Sequence, residues 1–226
     1  RRALRGAQTD DAVDVIVLTG SDPAFCAGLD LKELGAGGSA LADSGATGDA
    51  VRADRGPFPK GDKPVIGAVN GAAITGGFEL ALACDFLVAS EHARFADTHA
   101  RVGIQPGWGL TVLLPQAIGL RRAREMSATG NFVDASTALA WGLVNHVVPH
   151  DDLLHFARGL AADVASNDQR AVRQIYATYR AGSDVTAAEA WEIEAKVAGE
   201  WQGGGIDPAE VERRRQAIVD RGRSQL

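Results

Sequence analysis

Apolar and polar positions follow two different patterns along this chain, and the change comes near Pro149. Before that residue, short apolar runs of strand length are separated by turns and by segments with helical spacing. Strands that alternate with helices predict an α/β core in which the strands are largely parallel and the crossovers are right-handed. The pattern predicts strands at Val13–Leu18, Val65–Val69, Asp85–Ala89, Arg94–Ala96 and Asn145–Pro149, and helices at Phe78–Cys84, Gly107–Ile118 and Leu120–Thr129.

After Pro149 the pattern is wholly helical. Asp151–Val164 and Asp168–Ala181 carry apolar residues at helical spacing. We therefore predict a core domain over residues 1–149 and a helical module over residues 150–226. Residue types that favour helix N-termini mark three helix starts, namely Asp134, Thr186 with Glu189, and Asp207 with Pro208 and Glu210.

The stretch Val65–Asp85 combines a strand, a glycine-bearing turn and a helix that contains a carboxylate. Gly76 and Gly77 would begin the helix, whose first N–H groups lack intrahelical partners and lie at the positive end of the helix dipole. Such an end can hold an anion or a developing oxyanion. Glu79 lies in the first turn of this otherwise apolar helix, where it can serve as a general acid or base. Ordinary turn glycines and a carboxylate that only complements the helix dipole would look the same in sequence.

A second stretch, Ala24–Leu34, has a similar layout and reads A-F-C-A-G-L-D-L-K-E-L. It follows the predicted strand Val13–Leu18 and forms another strand, turn and helix start. Two such turns, each with glycine at the bend, can supply one backbone N–H apiece to a single substrate oxygen. The two stretches together therefore favour an active site over a pair of unrelated turns.

The pair F-C-A-G-L-D-L-K-E-L and N-G-A-A-I-T-G-G-F-E-L-A-L-A-C-D resembles the crotonase, or enoyl-CoA hydratase/isomerase, superfamily over roughly Val13–Pro149. The resemblance implies the ClpP/crotonase-like ββα-superhelix core and a C-terminal helical module that covers the active site and builds a homotrimer or a dimer of trimers. Members usually open with a β-hairpin and a helix, so we expect on the order of 30 residues to be missing before Arg1.

The resemblance also implies roles for particular residues. The backbone N–H groups of Leu29 and Gly76 would form the oxyanion hole, and Glu79 would be the first of the two hydratase glutamates. The second glutamate belongs to the family's F-G-x-P-E, and in this register His99 replaces it, because the chain reads F-A-D-T-H. Substrate and coenzyme A would be bound by the turn residues Ala27, Asp30, Leu31 and Lys32.

The function that the resemblance implies is an enoyl-CoA hydratase, which adds water across the 2,3 double bond of an enoyl-CoA thioester. Glu79 would serve as acid or base, and His99 would either take the place of the second glutamate or only form local hydrogen bonds. One alternative is an enoyl-CoA isomerase or another crotonase enzyme that uses Glu79 alone. Another is an acyl-CoA-binding protein whose catalysis has decayed. Coenzyme A would enter as part of the substrate, and no further cofactor or metal is expected.

Composition limits the partners. The net charge of −6 disfavours general binding to nucleic acid or to anionic membranes. Lys32 and Lys63 are the basic residues closest to the two motifs and are candidates for contact with coenzyme A phosphates. No run of 18 or more apolar residues is present, so we predict no membrane span.

Three further features bear on location and chemistry. Cys26 and Cys84 both lie in apolar surroundings and are expected to be buried thiols, which favours an intracellular, cytoplasmic enzyme. Three histidines lie near one another in sequence, namely His146, His150 and His155. They are spread over a strand end, a proline and a helix start, so we predict no metal site there. The segment Gly35–Gly61 is rich in Gly, Ala, Ser and Asp, and is either a lid over the acyl pocket or a plain connection.

Overall fold

The structure is a computed structural model, and it describes residues 1–30, 32, 56–59, 61–204 and 207–224. The chain divides into two compact units, Arg1–Arg173 and Gln174–Leu226. The boundary predicted at residue 149 from the hydrophobic pattern stays a prediction. Most of the segment Gly35–Gly61, for which a lid was considered, lies outside the described residues.

The first unit contains two four-stranded sheets that are built by alternate strands. The first sheet has the order β1 (Ile16–Thr19), β3 (Val65–Val69), β5 (Phe86–Ser90) and β8 (His146–Val148), and all its pairs are parallel. The second sheet has the order β2 (Ala24–Cys26), β4 (Ala72–Ile74), β6 (Arg94–Ala96) and β7 (Val133–Asp134), and only β7 is antiparallel. Each successive strand pair therefore gives one strand to each sheet, which confirms the predicted ββα superhelix.

Helices follow the strand pairs and cover the sheets. The helices of the first unit begin with α1 (Arg2–Thr9), α2 (Gly76–Leu82), α3 (His99–Val102), α4 (Leu110–Ile118), α5 (Leu120–Thr129) and α6 (Ala135–Trp141). A 3₁₀ turn at His150–Asp152 then leads into α7 (Leu153–Ala165), and α8 (Gln169–Gly182) begins within the same unit.

Strand β3 is buried along its whole length, as its unbroken apolar run predicts for a central parallel strand. Ile66 and Ala68 lie in a cluster with Leu153 and Ala157 of α7. The alternate residues of β3 belong to a second, larger cluster that includes Phe78 of helix α2. Full burial of an apolar side chain as large as Ile66 or Phe78 stabilises the fold by roughly 1.5–3 kcal/mol. Packing against β3 therefore fixes the position of helix α2, which carries Glu79.

Local conformations explain where the predicted element bounds were wrong. Helix α4 begins at Leu110 instead of Gly107, because Gly109 has a φ of 106°, which a helix does not allow. Strand β1 begins at Ile16 instead of Val13, because Val13 donates its backbone N–H to Asp10 in a turn. The N-cap prediction at Asp134 is confirmed by a 2.8 Å hydrogen bond from the backbone N–H of Thr137.

The second unit contains α9 (Ala187–Gly203) and α10 (Pro208–Ser224). Helix α9 starts with the predicted capping box, in which Thr186 and Glu189 each bind the other's backbone N–H. Helix α10 starts at Pro208 as predicted, but the carboxylate of Glu210 accepts hydrogen bonds from Arg213 and Arg214. Neither helix contains a buried residue within its described part. Within the described ranges, no helix has the length and hydrophobicity that a membrane span requires.

Candidate active site

Three loops that carry the predicted site residues lie at one edge of the second sheet. They follow β2, β4 and β6, which are neighbouring parallel strands, so their carboxyl ends meet at the same edge. The first loop contains Leu29, the second leads through Thr75 to Gly76, and the third leads through Asp97 to His99. The fold thus brings together residues that are 70 positions apart in sequence.

The first two loops touch, and only glycine fits at the contact. Gly28 has a φ of 87°, and a Cβ built on it would lie 3.0 Å from the carbonyl oxygen of Ile74 and 3.7 Å from the nitrogen of Gly76. A Cβ built on Gly77 would lie 1.9 Å from the carbonyl oxygen of Cys26. Leu29 and Gly76, the predicted oxyanion-hole residues, therefore belong to adjoining loops, and their role stays a prediction.

Thr75 enters helix α2 in a strained conformation. Its φ of 54° and ψ of −114° are rare for a β-branched residue. The backbone N–H of Thr75 donates to Ala96 at 2.9 Å, and its hydroxyl shares a hydrogen bond with the hydroxyl of Thr98. Such strain persists where surrounding bonds hold it, and it is commonest at functional sites. Gly76 follows as the first helical residue, so its N–H has no intrahelical acceptor.

Glu79 is buried, with only 3% of its surface exposed, in the first turn of α2. Its Oε1 atom accepts hydrogen bonds from the backbone N–H groups of Trp108 at 2.7 Å and of Leu110 at 3.4 Å. Its Oε2 atom lies 3.6 Å from Nε2 of His99. The main chain before α4 thus orients the carboxylate so that its second oxygen faces His99.

His99 is also buried, and it lies between two carboxylates. Its Nδ1 atom is 2.6 Å from Oδ1 of Asp97, and its backbone N–H donates to the same oxygen at 3.2 Å. Burial by itself lowers the pKa of His99, but the hydrogen bonds and negative charges of Asp97 and Glu79 prevail and raise it to about 9. Burial raises the pKa of Asp97, yet the hydrogen bonds from His99 and Ser127 outweigh burial and hold that pKa below its ordinary value.

The turn residues predicted to bind substrate are at the surface where the structure describes them. Ala27, Asp30 and Lys32 are exposed in the loop after β2. Oδ1 of Asp30 accepts a 2.8 Å hydrogen bond from the backbone N–H of Lys32, which fixes the turn. Leu31, the fourth of these residues, lies outside the described part of the chain.

Lys63, in contrast, has a structural position that sequence reasoning did not foresee. It is 3% exposed, and its Nζ atom donates to the carbonyl oxygens of Ala7 at 3.0 Å and of Asp10 at 2.5 Å. These carbonyls lie at the end of α1, where a cation is favourable. The ammonium group is therefore used within the fold and is not available to a coenzyme A phosphate.

The cysteines and a histidine that the sequence singled out lie elsewhere in the fold. Cys26 and Cys84 are free thiols; Cys84 is buried, which raises its pKa, while Cys26 is half-buried. Within the described ranges, no three His, Cys, Asp or Glu side chains converge in a way that could hold a metal ion. His150 instead contacts Ser90 at 2.9 Å and Asp22 at 3.2 Å.

Two residues of the site were missed by sequence reasoning. Asp97 lies two positions before His99, and the pattern D-x-H was a signal that could have suggested the contact. Trp108 acts on Glu79 through its backbone N–H, a contact that leaves no signal in side-chain patterns. Its indole edge lies 3.6 Å from the position of a Cβ on Gly76, and its buried Nε1 has no hydrogen-bond partner among the described residues.

Comparison with known proteins agrees with this geometry. The family model described as enoyl-CoA hydratase/isomerase matches residues 1–204. The chain belongs to the enoyl-CoA hydratase/isomerase family. It is 38% identical over 224 residues to a protein of Arabidopsis thaliana named probable enoyl-CoA hydratase 1, peroxisomal, and the match covers 98% of this chain and 81% of that protein.

Solved structures of family members are also similar to this chain. An enoyl-CoA hydratase from Mycobacterium paratuberculosis is 49% identical and has a TM-score of 0.71, with 91% of this chain and 85% of that one covered. A monofunctional enoyl-CoA isomerase from M. smegmatis is 34% identical and has a TM-score of 0.67, with 84% and 80% covered. Both hydratases and isomerases of the enoyl-CoA hydratase/isomerase family therefore share this fold.

Proposed function

We propose that this enzyme of the enoyl-CoA hydratase/isomerase family hydrates the 2,3 double bond of an enoyl-CoA thioester, with Glu79 and His99 as its acid–base pair. The observation that carries the proposal is the 3.6 Å approach of Oε2 of Glu79 to Nε2 of His99 in a buried site. A histidine at the position of the second hydratase glutamate thus reaches the first one. A histidine with only a local structural role would not need to face that carboxylate.

Activation of the thioester is assigned to the two adjoining loops. The carbonyl oxygen of the thioester accepts hydrogen bonds from the backbone N–H groups of Leu29 and Gly76. These bonds stabilise the enolate that forms when C3 is attacked, and each is worth ~3 kcal/mol of barrier in enzymes from which one such donor was removed. The contact of Gly28 with the second loop supports this assignment, because it keeps the two loops together.

Addition of water then needs one base and one acid. The carboxylate of Glu79 removes a proton from water as the water oxygen bonds to C3, and the π electrons of the double bond move into the enolate. The imidazolium of His99 delivers its Nε2 proton to C2, which completes the 3-hydroxyacyl thioester. Transfer of the proton from Glu79 to His99 restores both groups. Water is therefore the only net source of the atoms added to the substrate. Acid and base are both protein side chains, and coenzyme A enters with the substrate.

A second candidate is isomerisation of a 3-enoyl thioester to the 2-enoyl thioester. The similarity to the enoyl-CoA isomerase of M. smegmatis favours it. Here Glu79 alone would carry a proton from C4 to C2, and His99 would stay a spectator. The two candidates therefore differ in whether His99 exchanges a proton with substrate.

Two substrates of equal chain length separate these functions. Purified enzyme would be incubated with a 2-enoyl-CoA and a 3-enoyl-CoA, and the acyl products identified by mass spectrometry in H₂¹⁸O. The hydratase proposal predicts ¹⁸O at C3 of the product from the 2-enoyl thioester. Conversion of only the 3-enoyl thioester, without oxygen incorporation, would assign the isomerase. Binding of both thioesters without turnover would indicate an acyl-CoA-binding protein.

We further propose that the enzyme assembles as a homotrimer or a dimer of trimers. Large apolar side chains of the second unit are exposed to solvent in the single chain, which supports this assembly. They include Tyr179 at 74%, Trp191 at 72% and Ile218 at 66% exposure. Aromatic side chains such as Tyr179 and Trp191 are enriched at subunit interfaces relative to the rest of the protein surface.

A further inference from the structure

We infer that Asp97 is a positioning residue, which holds the imidazole of His99 with Nδ1–H toward its own carboxylate and Nε2–H toward the reaction centre. The inference rests on the proposed hydratase function and deepens it, because it identifies the group that holds His99 in the orientation and charge state of an acid. Asp97 itself touches neither the substrate nor Glu79 in this arrangement; it acts only through the imidazole.

The contacts of Asp97 are those of a fixed, buried acceptor. Only 2% of its surface is exposed, and its Oδ1 atom accepts from both the ring and the backbone of His99. A further hydrogen bond comes from Ser127 of helix α5, which is a separate element. An aspartate held from two sides cannot turn away, so the ring that donates to it keeps one orientation.

The orientation of the ring decides which nitrogen meets substrate. With Nδ1–H bound to Asp97, the other nitrogen, Nε2, is the one 3.6 Å from Glu79. An imidazole that donates one N–H to a buried carboxylate is stabilised in its protonated form. The charged groups that act on this ring in the described part of the chain are Asp97 and Glu79, and both are carboxylates. His99 therefore carries a second proton at Nε2 when the enzyme is at rest.

The proton balance follows from this charge state. Before reaction His99 is an imidazolium and Glu79 a carboxylate, so Glu79 can accept the water proton and His99 can donate to C2. After reaction His99 is neutral and Glu79 is protonated, and a proton returns across the short gap between them. Reversal of the roles would require a neutral His99, which the Asp97 carboxylate opposes.

Asp97→Asn is the direct test, because asparagine keeps the size of the side chain but removes its charge. On the basic side of its pH profile, the activity of wild type toward crotonyl-CoA should fall as pH rises through about 9, when His99 loses its proton. In the variant this basic limb should move toward the ordinary histidine value of about 6.5, with little change in KM. At pH 8 the kcat should drop by up to roughly 30-fold, which is the ratio of the protonated fractions at pKa values of 9 and 6.5. If activity of Asp97→Asn declines at the same basic pH as that of wild type, the inference is overturned.

A titration of His99 by NMR gives a readout that does not depend on turnover. The chain has five histidines, so the His99 signal can be assigned by its loss in His99→Gln. Wild type should titrate near pH 9 with Nδ1 protonated throughout, and Asp97→Asn should titrate lower. If wild type shows no hydratase activity but the titration behaves in this way, the proposed function fails while the Asp97 contact stands.

Asp22→Asn is the matched control, because Asp22 contacts His150 at 3.2 Å at the surface and far along the chain from His99. It should leave both the pH profile and the His99 signal unchanged. If Asp97→Asn does not fold, the wild-type titration alone decides the question. A wild-type His99 that titrates near 6.5, or whose Nδ1 carries no proton, would refute the positioning role.

Discussion

At the residue scale, the site depends on a histidine placed between two buried carboxylates. This arrangement links the proposed acid–base chemistry to the stability of the fold. A histidine whose pKa is raised on folding stabilises the folded state below its unfolded pKa, and that contribution is lost as pH rises through its folded pKa. For His99 the loss falls between about 6.5 and about 9.

We therefore predict that the unfolding free energy of wild type decreases between pH 6.5 and pH 9 by more than that of His99→Gln. Urea unfolding of both proteins at several pH values would measure it. Glutamine is a suitable replacement because it is polar and of similar size but does not titrate. Parallel pH dependences of the two proteins would show that Asp97 and Glu79 do not hold the charge of His99.

Trp108 offers a second prediction at this scale. Its indole lies beside Gly76, and its backbone N–H binds Glu79. In the proposed site the ring would therefore lie next to the acyl chain of a bound thioester. Trp108→Ala should leave the backbone contact in place and open this space. We expect the ratio of kcat/KM for an octenoyl over a butenoyl thioester to rise at least roughly tenfold, the lower limit for one methylene in an apolar pocket. Trp108→Phe is the control and should change the ratio little.

At the scale of elements, the turn into helix α2 depends on two adjacent glycines that are not equivalent. A Cβ on Gly77 would overlap the carbonyl of Cys26, whereas a Cβ on Gly76 would meet only the Trp108 ring at 3.6 Å, an ordinary contact. Gly77→Ala would therefore push the loop after β2 away from the helix, while Gly76→Ala would not. The difference arises from the loop contact and not from helix propensity, since both positions begin the same helix.

We predict that Gly77→Ala lowers the melting temperature by several degrees, which corresponds to the roughly 1–3 kcal/mol typical of overpacking. Gly76→Ala should unfold within about 1 kcal/mol of wild type. Thermal unfolding followed by circular dichroism would compare the two variants. Equal melting temperatures would contradict the close contact between the loops.

The elements that sequence could predict are those governed by local patterns. The apolar run of β3 and the caps at Asp134 and Thr186 were predicted correctly, because burial and capping depend on neighbours in sequence. The start of α4 was predicted wrongly, since a left-handed glycine before a helix leaves no mark in the hydrophobic pattern. Contacts such as that of Trp108 with Glu79 depend on where the chain returns in space, and sequence alone did not reveal them.

At the scale of the whole molecule, the predicted superhelix explains why the site lies where it does. The parallel strands of one sheet bring the three loops of the candidate site to a single edge, although these loops are far apart in sequence. The resemblance identified the fold and placed Glu79 and His99 at matching positions. It could not reveal their separation, nor the participation of Asp97, because these depend on side-chain orientation.

The exposed apolar side chains of the second unit lead to a prediction about assembly. Wild type should elute from size-exclusion chromatography with light scattering at three or six times the 23.6 kDa chain mass. Trp191→Asp should shift the population toward smaller species, since it adds a charge where an apolar contact is expected. Lys196→Asp adds the same side chain to a position of α9 that is already 75% exposed and should have no effect. A monomeric wild type would contradict the proposed assembly.

Whether Glu79 and His99 form one acid–base pair can be decided from the rate of crotonyl-CoA hydration by wild type, Glu79→Gln, His99→Gln and the double variant. If the two residues act as base and acid of one reaction, each single change should lower kcat by roughly 10²- to 10⁴-fold. The double variant should then be little worse than the poorer single one, because groups that act as a unit are not additive. A His99→Gln enzyme that hydrates crotonyl-CoA at the wild-type rate would rule out His99 as the acid of the reaction.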